Sequence, residues 1–261
     1  METELRENEV IGADGLIHCA ICGRAKQMII HMFGDDTKVR CICDCDKKKM
    51  AEREAREKRE ETERRRSVCF SQTNMKSWNF DNDDNKNPKL SNTMKRYCEQ
   101  FEEFKKESKG LLLYGTVGTG KTYYAACIAN ELIDKGYDVL LTNFATLTNR
   151  ISGMYEGKQE YIDSLNRYKL LIIDDLGAER NSPYMQELVF NLIDSRYRSG
   201  LPMIITTNLT ASEFKAPKEI GYARIYDRIL ERCFPIEVTG ESRRRRAVIE
   251  NFAKDKERLG L

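Results

Sequence analysis

Between Gly115 and Thr122 the chain reads GTVGTGKT, directly after the apolar run LLLY and directly before YYAACIANELIDKG. Glycines at 115, 118 and 120 leave a loop whose backbone N–H groups can turn inward around an anion. A Cβ at those places would obstruct both the dihedrals and the close approach. The stretch matches G-x-x-x-x-G-K-[ST] between an expected strand and an expected helix, and the helix adds the positive end of its dipole. The pattern therefore predicts a nucleotide phosphate cradle made by Gly115, Thr116, Val117, Gly118, Thr119, Gly120, Lys121, Thr122 and Tyr123. Within it Lys121 reaches the β and γ phosphates of ATP, and the Thr122 hydroxyl ligates Mg2+.

Such a loop belongs on a buried parallel sheet. Runs apolar on both faces occur at Leu111–Tyr114, Val139–Thr142, Leu170–Asp174, Met203–Thr207 and Phe234–Val238, separated by longer amphipathic stretches. Five strands with helical crossovers predict an α/β three-layer domain with a parallel five-stranded sheet. Two further requirements of phosphate chemistry are met at strand ends. KLLIIDDLG supplies Asp174 for the magnesium shell and Asp175 to polarise a water, because successive residues point in different directions. MIITTN ends at Asn208, whose amide can hydrogen-bond the γ phosphate or the attacking water.

The remainder of the chain is organised differently. Residues 1–46 hold five of the nine cysteines, in HCAICGRA and VRCICDCDKK. A C-x-x-C pair at Cys19 and Cys22 with Cys41, Cys43 and Cys45 about 20 residues on is a structural zinc spacing with one thiol to spare. Residues 47–66, KKKMAEREAREKREETERRR, lack Pro and Gly and carry Glu-to-basic pairs four apart, which predicts a solvated helical spacer. Residues 67–89 read as an irregular connector anchored by the only tryptophan, Trp78, so the expected division is 1–46, 47–89 and 90–261. Lys plus Arg (44) nearly balance Asp plus Glu (42), which leaves only local patches as arguments for a nucleic-acid partner. No window is apolar enough for a membrane span and METELRENEV does not resemble a signal peptide, so a soluble cytoplasmic protein is expected.

GTVGTGKT, LLIIDDLG and TTN, in that strand order, resemble the Walker A, Walker B and sensor 1 elements of the DnaC-like helicase loaders, AAA+ ATPases whose branch also contains the IstB-type transposition ATPases. The resemblance covers roughly residues 90–247 and implies a nucleotide-dependent homo-oligomer. In it an arginine from the neighbouring subunit completes the ATP site, and RIYDRILERC maps that arginine onto Arg228, with Arg224 and Arg232 on the same helical face. GESRRRRAV is similar to the sensor 2 element, with Ser242 and Arg244 at the matching positions. Similarity to the C-x-C form of phage and Gram-positive loaders favours Cys43 and Cys45 over Cys41 as the second thiol pair. The resemblance further implies a replicative DnaB-type helicase gripped by the N-terminal module and single-stranded DNA contacted by the ATPase domain, in a bacterium or its phage. Asp175 stands where many AAA+ members have Glu, which implies slow or partner-stimulated ATP hydrolysis. An IstB-type transposition helper shares every nucleotide-site residue, and a small-molecule kinase shares the loop alone.

Overall fold

The structure, a computed structural model, describes residues 5–32, 34–71, 73–84, 86–177, 182–217 and 220–242, with 248, 252, 255, 256, 258 and 259. The chain divides into two compact units, Met1–Glu61 and Thr62–Leu261. Among the described residues no helix is long and apolar enough to cross a membrane.

The first unit is two small antiparallel hairpins and the start of a helix. Strand β1 (Glu9–Ile11) pairs with β2 (Ile17–Cys19), and β3 (Gln27–Met32) pairs with β4 (Asp35–Arg40) from Gln27↔Arg40 to Met32↔Asp35. Helix α1 (Asp44–Cys69) starts here and runs on into the second unit. Very little apolar surface is buried in the first unit, chiefly Ile17, Cys19 and Cys43. A module this small needs a staple beyond its core. Part of it is ionic: Glu9 is buried and takes Arg40 at 3.1 Å and Lys26 at 3.4 Å, while Lys26 reaches Asp46 at 2.8 Å.

In the second unit the five expected apolar runs are strands. They are β5 (Gly110–Tyr114), β6 (Val139–Asn143), β7 (Leu170–Leu176), β8 (Met203–Thr207) and β9 (Cys233–Glu237), all parallel in the order β6-β7-β8-β5-β9. Side chains alternate between faces with the strand period of two. Leu111, Leu113, Ile172 and Ile204 pack with α2 (Pro88–Glu99) and α4 (Lys121–Asp134) on one face. Leu112, Leu171, Ile173 and Ile205 pack on the other with α5 (Phe144–Ser152), α7 (Pro183–Ser199) and α9 (Ile220–Arg232). Short helices α3 (Phe101–Lys106), α6 (Lys158–Ser164) and α8 (Ala211–Lys215) complete the layers. Pro235 lies in the edge strand β9, where its missing N–H costs no ladder bond.

One expected boundary lies at a different place from the division between the compact units. The connector was to end, and the main domain to begin, near residue 90, but the second unit takes in everything from Thr62 onward. Cys69, Phe70 and Phe80 are in its core, and Asn130 of α4 donates its side-chain amide to the carbonyls of Met75 (3.2 Å) and Trp78 (2.8 Å). Arg66, at the end of α1, donates to Asn130 at 2.9 Å and pairs with Asp134 at 2.5 Å. Those polar contacts fasten an irregular segment that carries no periodicity of its own.

Candidate functional site

β5 is flanked on both sides, by β8 and β9, so the loop leaving its C-terminal end lies at the crevice where an open α/β sheet binds ligands. Gly115 and Gly118 hold φ of +136° and +86°, and neighbours crowd both. A Cβ on Gly115 would lie 2.6 Å from the Val238 carbonyl oxygen, and one on Gly118 would lie 2.2 Å from Ser242 Oγ. Ser242 is thus set against the loop; Arg244, the other position matched to sensor 2, lies outside the described residues. Lys121 is buried at the start of α4, where its ammonium donates to the carbonyls of Gly115 and Thr116, both at 2.8 Å.

Thr122 and Asp174 are brought together from α4 and β7. Thr122 donates its hydroxyl to both carboxylate oxygens of Asp174, at 2.9 and 3.0 Å, and Thr206 of β8 donates to the same carboxylate. Burial pushes the Asp174 carboxyl above the usual range, against the opposing pull of the two hydroxyls. A buried carboxylate flanked by two threonine hydroxyls fits a hard divalent cation of the magnesium type.

Asp175 faces elsewhere, and a backbone distortion is the reason. It adopts φ +57°, a left-handed conformation that disfavours residues with a Cβ, and the β7–β8 register shifts between Ile173 and Leu176. Its N–H is held by Thr206 Oγ1 at 3.0 Å. Asp175 and Asn208 are both exposed and line one cleft with Lys121, Thr122, Tyr123 and Trp78. The cleft measures about 270 Å³, near the lower end of small-molecule sites, roughly 300–1,000 Å³.

In the first unit the Sγ atoms of Cys19, Cys22, Cys43 and Cys45 all lie within 4.8 Å of one another. Four thiolates bonded to one zinc at about 2.3 Å would stand about 3.8 Å apart, so the cluster closes to that geometry with little movement. Backbone N–H groups of Cys22 and Ile21 hold the Cys19 thiol down to about 7. Cys41 lies outside this cluster and donates to the Ala25 carbonyl at 3.3 Å.

The three arginines of α9 differ in placement. Arg224 is exposed, Arg232 lies 4.6 Å over the Tyr197 ring, and Arg228 pairs with Asp194 at 2.8 Å while its guanidinium sits 4.4 Å over Phe190. Arg228 is therefore engaged within its own unit.

The family model for IstB-like ATP binding proteins matches residues 39–251. This chain belongs to that family. It is 29% identical over 150 residues to the replicative helicase loader DnaI of Bacillus subtilis (strain 168), covering 53% of this chain and 48% of that protein. It is 28% identical over 142 residues to the replicative helicase loader DnaC of Escherichia coli (strain K12), covering 53% and 57%. The chain thus spans about half the length of the curated relatives it matches. The crystal structure of DnaI matches with a TM-score of 0.57 at 26% identity, over 69% of this chain and 99% of that one. That of the DnaC helicase loader matches with a TM-score of 0.52 at 24% identity, over 62% and 97%, which bears on the fold alone. ATP binding by this IstB-like chain is the family's property, and its named relatives are helicase loaders.

Two residues of the IstB-like site escape a reading of motifs. Thr206 both bonds Asp174 and holds the Asp175 N–H, yet in the sequence it is only the first of two threonines before Asn208. Trp78 lines the cleft beside Tyr123, ring centroids 5.8 Å apart, from some 40 residues before the loop.

Proposed function

We propose that the chain is an ATP-dependent loader of a replicative DnaB-type helicase onto single-stranded DNA. The observation that carries the enzymatic half is the convergence of Lys121, the Thr122–Asp174 pair, Asp175 and Asn208 on one cleft at the end of β5. Lys121 exchanges its loop carbonyls for β and γ phosphate oxygens, and the loop amides of residues 115–122 hold the remaining phosphate charge. Thr122 and Asp174 hold Mg2+, which when bound neutralises charge on the phosphates. Asp175 accepts a hydrogen bond from the attacking water and polarises it, and Asn208 orients that water against the γ phosphate. Arg228 of a neighbouring subunit, with Arg244 of the same chain, neutralises the charge that develops, which makes turnover conditional on assembly.

The loader half rests on the names of the relatives and on the thiol cluster. Cys19, Cys22, Cys43 and Cys45 hold a structural zinc; four thiolates leave no open position for chemistry, so the zinc builds a fold. That fold binds the helicase, while the second unit binds single-stranded DNA and switches its contacts with nucleotide state. The setting is a bacterial cytoplasm. One other reading, a transposition helper, keeps the same nucleotide chemistry within the IstB-like family. Co-purification of the full chain with a replicative helicase and with a transposase, each with ATP and Mg2+, separates the two. Capture of the helicase, and faster helicase entry onto single-stranded DNA, supports the loader; capture of the transposase alone overturns it.

A further inference from the structure

Helix α7 presents Phe190, Asp194 and Tyr197 at spacings of four and three, one face of a helix, toward α9. Arg228 occupies that face. Its Nη2 donates to Asp194 Oδ1 at 2.8 Å, and its guanidinium stacks 4.4 Å over Phe190 and 5.7 Å from Tyr197. The side chain is 28% exposed, so the charge intended for a neighbour is turned inward. We infer that Asp194, Phe190 and Tyr197 form a dock that stows Arg228 in its own subunit until a neighbour's nucleotide draws it out. Asp194 is then a positioning residue acting through Arg228. This rests on the reading of Arg228 as the arginine delivered in trans.

Three features suit the dock to release. Arg228 Nη1 is buried with no hydrogen-bond partner among the described residues, so the stowed guanidinium leaves one donor unsatisfied. A γ phosphate offers charged oxygens to several N–H groups at once, which a planar guanidinium matches better than a single carboxylate oxygen does. Asp194 is not orphaned by the exchange, because Arg198 donates to its other oxygen at 3.0 Å. A partly exposed ion pair holds its partner weakly, so the equilibrium between stowed and delivered arginine is shifted by any neighbour that supplies the better acceptor. Arg232, over the same Tyr197 ring with Nε buried and without a hydrogen-bond partner among the described residues, cushions the dock.

The test is ATP hydrolysis per subunit across a series of concentrations of the full chain with Mg2+. Asp194→Asn is expected to move the half-maximal concentration down by roughly two- to fivefold, the span of a partly exposed pair. Phe190→Leu, which removes only the ring beneath the guanidinium, should shift it the same way, and Asp194→Glu should lie near wild type. Nucleotide affinity, read from Trp78 fluorescence, should be unchanged in all three. A lower plateau rate with an unmoved midpoint would mean that Asp194 aims Arg228 and does not stow it, and overturns the inference. So does an unchanged curve with only a lower melting temperature, which would make the pair a helix pin. Arg228→Ala separates the levels: if it keeps full turnover at high concentration, the trans-arginine reading itself fails. If it is inactive while both dock variants behave as wild type, only the dock fails.

Discussion

Asp174→Asn is a nearly isosteric change at a carboxylate that is 8% exposed and accepts hydrogen bonds from Thr122 and Thr206. Asparagine keeps the acceptor oxygen and removes the charge. Burial, together with the neighbouring Asp175 charge, raises the Asp174 carboxyl more than its two hydroxyl donors and the Lys121 charge lower it, so without a cation the ionised form is held at a net cost. Its folded value lies above its unfolded one, so this cost is present at neutral pH and fades as pH falls toward the carboxylate range. The nucleotide-free variant should therefore be more stable, by about 1 kcal/mol, the scale of relieving a functional site. For a unit of this size that is about 2–4 °C in melting temperature. With ligand the order inverts. Mg2+ and ATP at about a hundred times Kd stabilise wild type by about 2.7 kcal/mol, or roughly 5–10 °C, whereas the variant should melt at one temperature with ATP whether Mg2+ or a chelator is present. Scanning calorimetry of both proteins, with and without Mg2+, checks each half. A nucleotide-free variant that melts below wild type, or one that retains the magnesium-dependent shift, refutes the assignment of Asp174 to the metal.

Three other outcomes follow. Lys121→Ala should weaken ATP binding at least about tenfold, about 1.4 kcal/mol, because the β and γ charges lose their buried cation; titration of Trp78 fluorescence, the chain's only tryptophan signal, measures it. Replacing Cys19 and Cys22 by Ser should release zinc, measured by elemental analysis, and unfold residues 1–61 while ATP binding by the second unit persists, since metal-binding energy there is folding energy. Mixing Arg228→Ala with Lys121→Ala, each inactive alone, should restore part of the hydrolysis, because one variant brings an intact loop and the other an intact arginine; a co-assembled mixture that stays inactive argues for Arg224, which is exposed.

The sheet is legible in the sequence because its strands are buried on both faces, so each reads as an unbroken apolar run; MIITT is buried at every position. Which face each residue serves follows from alternation alone, as Leu111, Leu112 and Leu113 show by dividing between the two layers. The loop was legible for a different reason, since close backbone approach to Val238 and Ser242 leaves glycine the residue of least conflict. The course of residues 70–89 was not legible beyond a connector anchored by Trp78, because part of what ties them down is Asn130, an amide some 50 residues away bonded to two of their backbone carbonyls. A long-range contact between a polar side chain and main chain leaves no periodicity to read.

The two adjacent carboxylates show where motif reading stops and geometry takes over. In a regular strand, neighbours point to opposite faces of the sheet, and both faces here are filled with apolar side chains, so a second carboxylate beside Asp174 would be driven into a core. The left-handed turn at Asp175 and the register shift beside it remove that conflict, and they lift the side chain into the cleft with Asn208. Such a conformation is strained for a residue with a Cβ, and it persists because Thr206 accepts the Asp175 N–H while donating to Asp174. One threonine on the adjacent strand thus separates a buried carboxylate from an exposed one that the sequence places side by side. The difference between their surroundings is a property of the β7–β8 pairing and of neither aspartate alone.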